Sequence, residues 1–173
     1  MRKAMVGLAV VAGLGLAAQA AVAQTAAPTA ATRPVLFGPE VSFGTSSGSG
    51  LGVGARVVYP GLGQMVKLQG LEAFASFDYF FPGSPLKYWE INANATYKVP
   101  GMSASFAPYV GAGLNYAHTS VNVPLFGNVS GSSTGLNLLA GARYPMGKLN
   151  LFGEVKFELH TGSQLVVTAG ALF

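Results

Sequence analysis

The chain has 173 residues, of which 50% are hydrophobic and only 9% are charged, and its formal net charge is +4. Soluble domains usually contain about 25% charged residues, so this composition argues against a soluble domain with a charged exterior. The small positive charge excludes a strongly basic nucleic-acid-binding protein. The absence of cysteine excludes a disulfide framework.

The beginning of the chain has the three parts of a cleavable secretory signal peptide. Arg2 and Lys3 supply positive charge, an apolar stretch rich in Ala and Gly follows, and "AVA" offers small residues for cleavage. A retained membrane anchor is the alternative, although the apolar stretch is short for one. We expect cleavage of residues 1–23, which would leave 150 of the 173 residues with a net charge of +2. Residues 24–34, rich in Thr and Pro, would form a flexible leader.

The remainder, residues 35–173, is predicted to form a single all-β domain. Beyond the signal, no run of 18 apolar residues could form a spanning helix, and turn signals recur at the spacing of consecutive β-strands. Most of the eight predicted strands have 9 to 12 residues, about what a tilted strand needs to cross a bilayer. The predicted strands are Leu36–Gly44, Leu51–Tyr59, Gly70–Phe80, Tyr88–Val99, Phe106–His118, Gly135–Tyr144, Leu149–His160 and Leu165–Phe173.

Alternation of apolar and polar residues is clearest in "LNLFGEVKFELH". Val155, Phe157 and Leu159 fall on one face, whereas charged residues occupy the other, with Phe152 the one apolar exception there. A helix would scatter these charges around its circumference, so period 2 indicates a strand. All six acidic residues of the sequence fall on polar faces of predicted strands: Glu40, Glu72, Asp78, Glu90, Glu154 and Glu158.

Alternation alone does not say which face points inward. A soluble barrel has apolar residues inside and polar residues outside, and a membrane barrel has the reverse arrangement. The scarcity of charge, aromatic residues near strand ends, and short turns opposite longer loops favour the membrane arrangement, with apolar side chains outward. The polar face would then line the lumen and form a charge network. Its predicted members are Glu40, Arg56, Glu72, Glu90, Lys98, Arg143, Glu154, Lys156 and Glu158.

The signal, the eight alternating strands, "APYVGAGLNYAH" and the final "VVTAGALF" resemble the small eight-stranded outer-membrane β-barrel family, which includes the OmpX-, OmpW- and OmpA-type barrels. The resemblance implies a transmembrane up-and-down antiparallel barrel in the bacterial outer membrane, surrounded by lipids and lipopolysaccharide and monomeric. It also implies that a terminal strand ending in Phe is read by the barrel-assembly machinery. The residues that match this signal are Val167, Ala169, Ala171 and Phe173.

Function is predicted to lie in the loops, since the lumen of eight strands is filled by side chains. The longest predicted loop, "TSVNVPLFGNVSGSST", carries apolar candidates for surface contact at Val123, Leu125, Phe126 and Val129. The resulting prediction is a non-enzymatic protein that contributes to envelope integrity or surface interaction. An OmpW-like narrow channel for small hydrophobic molecules is one alternative, and a secreted soluble barrel with its faces inverted is another.

Catalysis and metal binding have weak support in the sequence. "YAHTSVN" places His118 two residues before Ser120, which loosely resembles the His-x-Ser pair of lipid A deacylases, but the family's acidic partner is missing between His118 and Glu154. The two histidines, the absence of cysteine and the lack of an acidic cluster in any loop argue against a metal site. We therefore expect neither a catalytic residue nor a cofactor.

Overall fold

The computed structural model describes residues 34–46, 48–101, 106–124, 127–160 and 162–173. The predicted signal peptide and almost all of the predicted leader lie outside these residues. Eight strands and one short helix follow each other along the chain. They are β1 Leu36–Gly44, β2 Gly50–Tyr59, α1 Leu62–Met65, β3 Leu71–Phe80, β4 Leu86–Lys98, β5 Ala107–Val123, β6 Gly127–Met146, β7 Leu149–Leu159 and β8 Gln164–Leu172.

The strands form one closed barrel in which every strand is antiparallel to its sequence neighbours. β8 returns to β1, where Glu40 pairs with Gly170 and Gly44 with Val166. Beyond this ladder, Phe37 and Phe173 exchange two backbone hydrogen bonds of 3.0 and 3.1 Å. Closure removes the unpaired edges that an open sheet would present, which confirms the predicted up-and-down barrel.

The two ends of the barrel differ in their connections. The α1 end carries the start of β1, the β2–β3 connection with α1, and the β4–β5 and β6–β7 connections. The other end, called here the hairpin end, carries the remaining four connections. The β6–β7 turn is the tightest: only Gly147 and Lys148 separate the strands, and Gly147 has φ 64°, a conformation that two-residue hairpin turns favour glycine for.

Two predicted boundaries were wrong. The predicted long loop is mostly strand, because β5 continues to Val123 and β6 begins at Gly127, and the two pair continuously up to Val123 and Gly127. The predicted β2–β3 turn contains α1. In both places the local pattern was weak, since these segments lie beyond the barrel wall and no buried face enforces alternation.

Side chains alternate between the lumen and the exterior along the wall. In β7 the acidic and basic residues are buried, whereas Val155 and Phe157 are 44% and 43% exposed. The same apolar exposure recurs on other strands, for example at Leu114 and Leu138. Apolar residues therefore face outward, which contradicts the alternative of a soluble barrel with an apolar core. Among the described residues, no helix is long and apolar enough to cross a membrane.

Candidate functional site

The central group of the lumen is the guanidinium of Arg56. Its Nε donates a hydrogen bond to Glu40 at 2.6 Å, and its two terminal nitrogens donate to the Glu154 carboxylate at 3.0 Å each. The rings of Phe74 and Phe152 lie 4.0 and 4.3 Å from the guanidinium carbon. These contacts tie strands β1, β2, β3 and β7 together through one buried cation, in the bidentate geometry that arginine favours.

A second ion cluster lies nearer the hairpin end. Lys156 Nζ is 2.6 Å from Glu158 and 3.5 Å from Glu90. The Gln164 amide donates to the carboxylates of Glu90 and Glu158 at 2.8 and 2.7 Å, and the Tyr88 hydroxyl also donates to Glu90. Two carboxylates, bridged by one amide, thus lie against one buried ammonium group, which compensates part of the cost of burying it.

The third ion cluster lies at the α1 end. Glu72 accepts Arg143 at 2.5 Å and Lys98 at 2.6 Å. The Lys98 side chain keeps 34% of its accessible surface, whereas those of Glu72 and Arg143 keep 3% and 6%. This cluster therefore reaches the mouth of the barrel, where a small cavity of about 330 Å³ adjoins all three residues.

All nine residues of the sequence-predicted lumen network thus point inward and fall into these three clusters. Sequence reasoning did not include several neutral or acidic partners in the network. Asp78 accepts hydroxyl groups of Ser42 and Ser76 at 2.9 and 3.2 Å. The Asn92 side-chain oxygen accepts amides of Asn115 and Asn137 at 3.1 and 2.9 Å. Alternation placed Asp78 and Asn92 on polar faces, but Ser42 and Asn137 reach them from strands that are not their neighbours in the sheet.

Apolar side chains form two layers across the lumen beside the polar clusters, and the cluster of Glu72, Lys98 and Arg143 lies at the α1 mouth. Toward the hairpin end, Phe80, Tyr88, Ala117 and Val166 pack together. Toward the α1 end a larger layer surrounds Arg56 with buried Val58, Phe74, Tyr109, Leu139, Phe152 and Leu172. These layers leave the barrel filled rather than hollow, as expected for eight strands.

The projecting hairpin, residues 119–124 and 127–134, extends β5 and β6 beyond most of the barrel wall. β4 accompanies β5 only as far as the pair Leu86 and Val121, and β7 accompanies β6 only from the pair Leu136 and Leu159. Within the described part of the chain, no strand pairs with the outer edge of β6 from Gly127 to Gly135. This edge is largely exposed and contains neither a charge nor a proline.

The predicted loop contacts belong to this hairpin. Val129 lies in β6 and is 57% exposed, and Val123 is the last residue of β5 and half-buried. Leu125 and Phe126 lie outside the described residues. A cleft of about 950 Å³ lies between the hairpin and the β3–β4 connection, lined by aromatic, amide and hydroxyl side chains and one cation, including Tyr79, Phe81, Lys87, Ser120, Asn122 and Asn128.

The histidine of the catalytic alternative has a different partner from the predicted one. His118 Nδ1 lies 2.9 Å from Ser132 Oγ on the neighbouring strand, and the Tyr116 hydroxyl donates to the same oxygen at 3.0 Å. The His118 ring stacks on Trp89 at 5.1 Å. All six acidic residues of the sequence lie in the lumen, each at most 2% exposed, so none can orient this histidine on the outer surface.

The residues of the predicted assembly signal alternate along β8. Val167 is 46% exposed, and Ala169 and Ala171 occupy the same outward face. Phe173 packs edge-on against Phe37, with ring centroids 4.5 Å apart. That the barrel-assembly machinery recognises this C-terminal strand stays a prediction.

Comparison with solved structures identifies the fold. The barrel is similar to the N-terminal β-barrel domain of Pseudomonas aeruginosa OprF, with a TM-score of 0.55, 17% identity, and coverage of 80% of this chain and 97% of that one. The chain has the fold of the small eight-stranded outer-membrane barrels. Neisserial surface protein A is similar with a TM-score of 0.56 and 18% identity, and the match covers 80% of this chain and 93% of that protein. Ail, the attachment invasion locus protein of Yersinia pestis, is similar with a TM-score of 0.52 and 16% identity, and the match covers 80% of this chain and 94% of Ail.

No protein-family model matches the chain, and the comparison with curated sequences finds no match. At 16 to 18% identity, the likeness to the three solved structures is one of fold.

Proposed function

We propose that the protein is a non-enzymatic barrel of the bacterial outer membrane, with its α1 end in the periplasm and its hairpin end at the cell surface. The outward apolar face supports the membrane assignment, because side chains such as Leu114 and Leu138 would otherwise be exposed to water. The projecting hairpin supports the orientation, since outer-membrane barrels extend their longer segments on the outer side, although the β2–β3 connection at the α1 end is longer than a usual periplasmic turn.

We further propose that the protein acts in surface interaction through the projecting hairpin. The observation that carries this proposal is the unpaired edge of β6 between Gly127 and Gly135. Edge strands usually carry lysine, proline or a bulge that discourages pairing, and this edge has no charge and no proline. An extended segment of another protein can therefore add to it as a further strand.

Two of the structural relatives agree with this role in their names. One is a surface protein and another an attachment invasion protein. Envelope integrity, which the sequence analysis offered beside surface interaction, would be supported by the filled and internally bonded lumen, because it makes the barrel a rigid element of the membrane.

A hairpin-truncated variant tests surface interaction. Residues 119–131 would be replaced by a two-residue Asn-Gly turn that joins the paired residues His118 and Ser132, and the matched control would replace residues 45–49 of the β1–β2 loop, between the paired residues Gly44 and Gly50. Cells displaying each variant would be compared for adherence to immobilised matrix proteins and to one another. We expect only the hairpin truncation to abolish adherence, with heat-dependent gel mobility showing that both barrels fold. Equal adherence of the truncated and complete proteins, or no adherence of either, would refute the role of the hairpin.

A further inference from the structure

The β2–β3 connection at the α1 end is a compact element with its own hydrogen bonds. The single turn of α1 ends in a left-handed residue, Lys67, at φ 58°, and the Leu68 N–H donates to the Gly63 carbonyl at 2.8 Å. This is the arrangement that commonly closes a helix through glycine. Here a lysine occupies the position, at a cost of roughly 1–2 kcal/mol.

This connection has two chemically different sides. Gln64 and Gln69, together with the buried Gly63, line a cavity of about 390 Å³ that also touches Glu72 and Lys98 at the barrel mouth. Three other side chains of the same segment are exposed and apolar: Met65 at 72%, Val66 at 55% and Leu68 at 48%. The polar side therefore faces the mouth of the barrel.

The apolar side is continuous with the outer wall of the barrel. Tyr59 lies on the outward face at the end of β2, and its hydroxyl donates to Met65 Sδ at 3.6 Å. Gly61 packs so closely on the Tyr59 ring that a Cβ there would come within 2.7 Å of it. The segment thus leans on the aromatic end of the outward face.

We propose that the β2–β3 connection is an interfacial anchor, in which Met65, Val66 and Leu68 insert into the periplasmic leaflet beside the barrel. This inference rests on the proposed membrane location. The occupant is phospholipid, since the apolar side chains extend the surface that contacts acyl chains, and exposed Lys67 provides a cation at headgroup level with no acidic residue in the segment. Amphipathic helices with apolar residues on one side and basic residues on the other bind interfaces in this manner, and this segment has the same arrangement on the scale of one turn.

Tryptophan quenching by lipids tests this anchor, and the chain suits the experiment because Trp89 is its only tryptophan. Trp89 lies on the outward face near the hairpin end, so it reports whether the barrel itself is embedded. In a Trp89→Phe background, Met65→Trp and Leu68→Trp probe the apolar side, and Gln64→Trp and Gln69→Trp are the matched controls. Each protein would be folded into phosphatidylcholine–phosphatidylglycerol vesicles with or without bromine on the acyl chains.

We expect brominated lipid to quench the Met65→Trp and Leu68→Trp variants about as strongly as it quenches Trp89 of the wild type, and the two controls much less. If Trp89 is quenched but the two apolar-side variants are not, or if the controls are quenched equally, the anchor is refuted while the membrane barrel stands. If neither Trp89 of the folded wild type nor the apolar-side tryptophans are quenched, both the anchor and the proposed membrane location are refuted. Heat-dependent gel mobility of each variant would verify folding before the comparison is made.

Discussion

Arg56 and Glu154 lie 98 residues apart in the chain, yet two parallel hydrogen bonds of 3.0 Å join them across the lumen. Both side chains are almost fully buried, and Glu40 accepts a hydrogen bond from Nε of the same guanidinium. One buried cation thus bridges strands β1, β2 and β7.

Replacement of Arg56 by methionine is expected to destabilise the barrel strongly. Removal of one partner leaves Glu40 and Glu154 buried without their cation, and the loss of one partner of a buried pair costs about 3–5 kcal/mol of the free energy of unfolding. Urea unfolding of the protein in lipid vesicles, followed by Trp89 fluorescence, measures this change.

The matched control is the triple variant Arg56→Met, Glu40→Gln and Glu154→Gln, in which no charge is left unpaired. It should recover much of the stability that the single variant loses. A single variant as stable as the wild type would show that the guanidinium does not hold the lumen together.

Two glycines on the adjacent strands β7 and β8 should differ in how much an alanine substitution lowers stability. A Cβ at Gly170 would meet the Phe152 ring and the Pro39 carbonyl oxygen at 2.6 Å, so Gly170→Ala should cost about 1–3 kcal/mol through overpacking. A Cβ at Gly153 would meet open space, so Gly153→Ala should change the free energy of unfolding by no more than about 0.5 kcal/mol. Equal unfolding midpoints for the two variants would contradict the packing around Phe152.

The filled lumen predicts the absence of a passage. Two apolar layers cross the lumen, and Phe80 and Leu172 within them are fully buried. In planar lipid bilayers the purified protein should therefore give no steady unitary conductance. A stable conductance, or uptake of a small hydrophobic molecule into protein-containing vesicles, would instead support the narrow-channel alternative.

The His118–Ser132 pair is expected to be catalytically silent. The geometry allows the serine to donate to the histidine, but no carboxylate can orient the ring, because all six acidic residues lie inside the barrel. A fluorophosphonate probe should not label the folded protein, and Ser132→Ala should behave like the wild type. Labelling that disappears in Ser132→Ala would overturn the non-enzymatic assignment.

The barrel could be predicted from sequence because burial of one face forces period 2 wherever a strand lies in the wall. In β7, Glu154, Lys156 and Glu158 alternate with Val155 and Phe157, and a register shift of one residue would place all three charges in the apolar exterior. The nine lumen residues followed from the same rule. Their pairing did not, because partners such as Arg56 and Glu154 meet only once the barrel has closed.

The features outside the wall could not be predicted in the same way. The hairpin of β5 and β6 is solvated on both faces, so "NVSGSST" carries no alternation that distinguishes strand from loop, and the alternation of "SVNV" is only four residues long. The turn of α1 ends at Lys67 rather than at glycine, so the usual signal for a helix end is missing from the sequence.

Heat-dependent gel mobility of the protein in washed outer-membrane fractions tests the central claim most directly. A closed barrel whose strands are bonded around the whole circumference resists detergent until it is heated, so unheated and boiled samples should migrate at different positions. A protein found in the soluble periplasmic fraction, with one mobility before and after boiling, would contradict the membrane barrel.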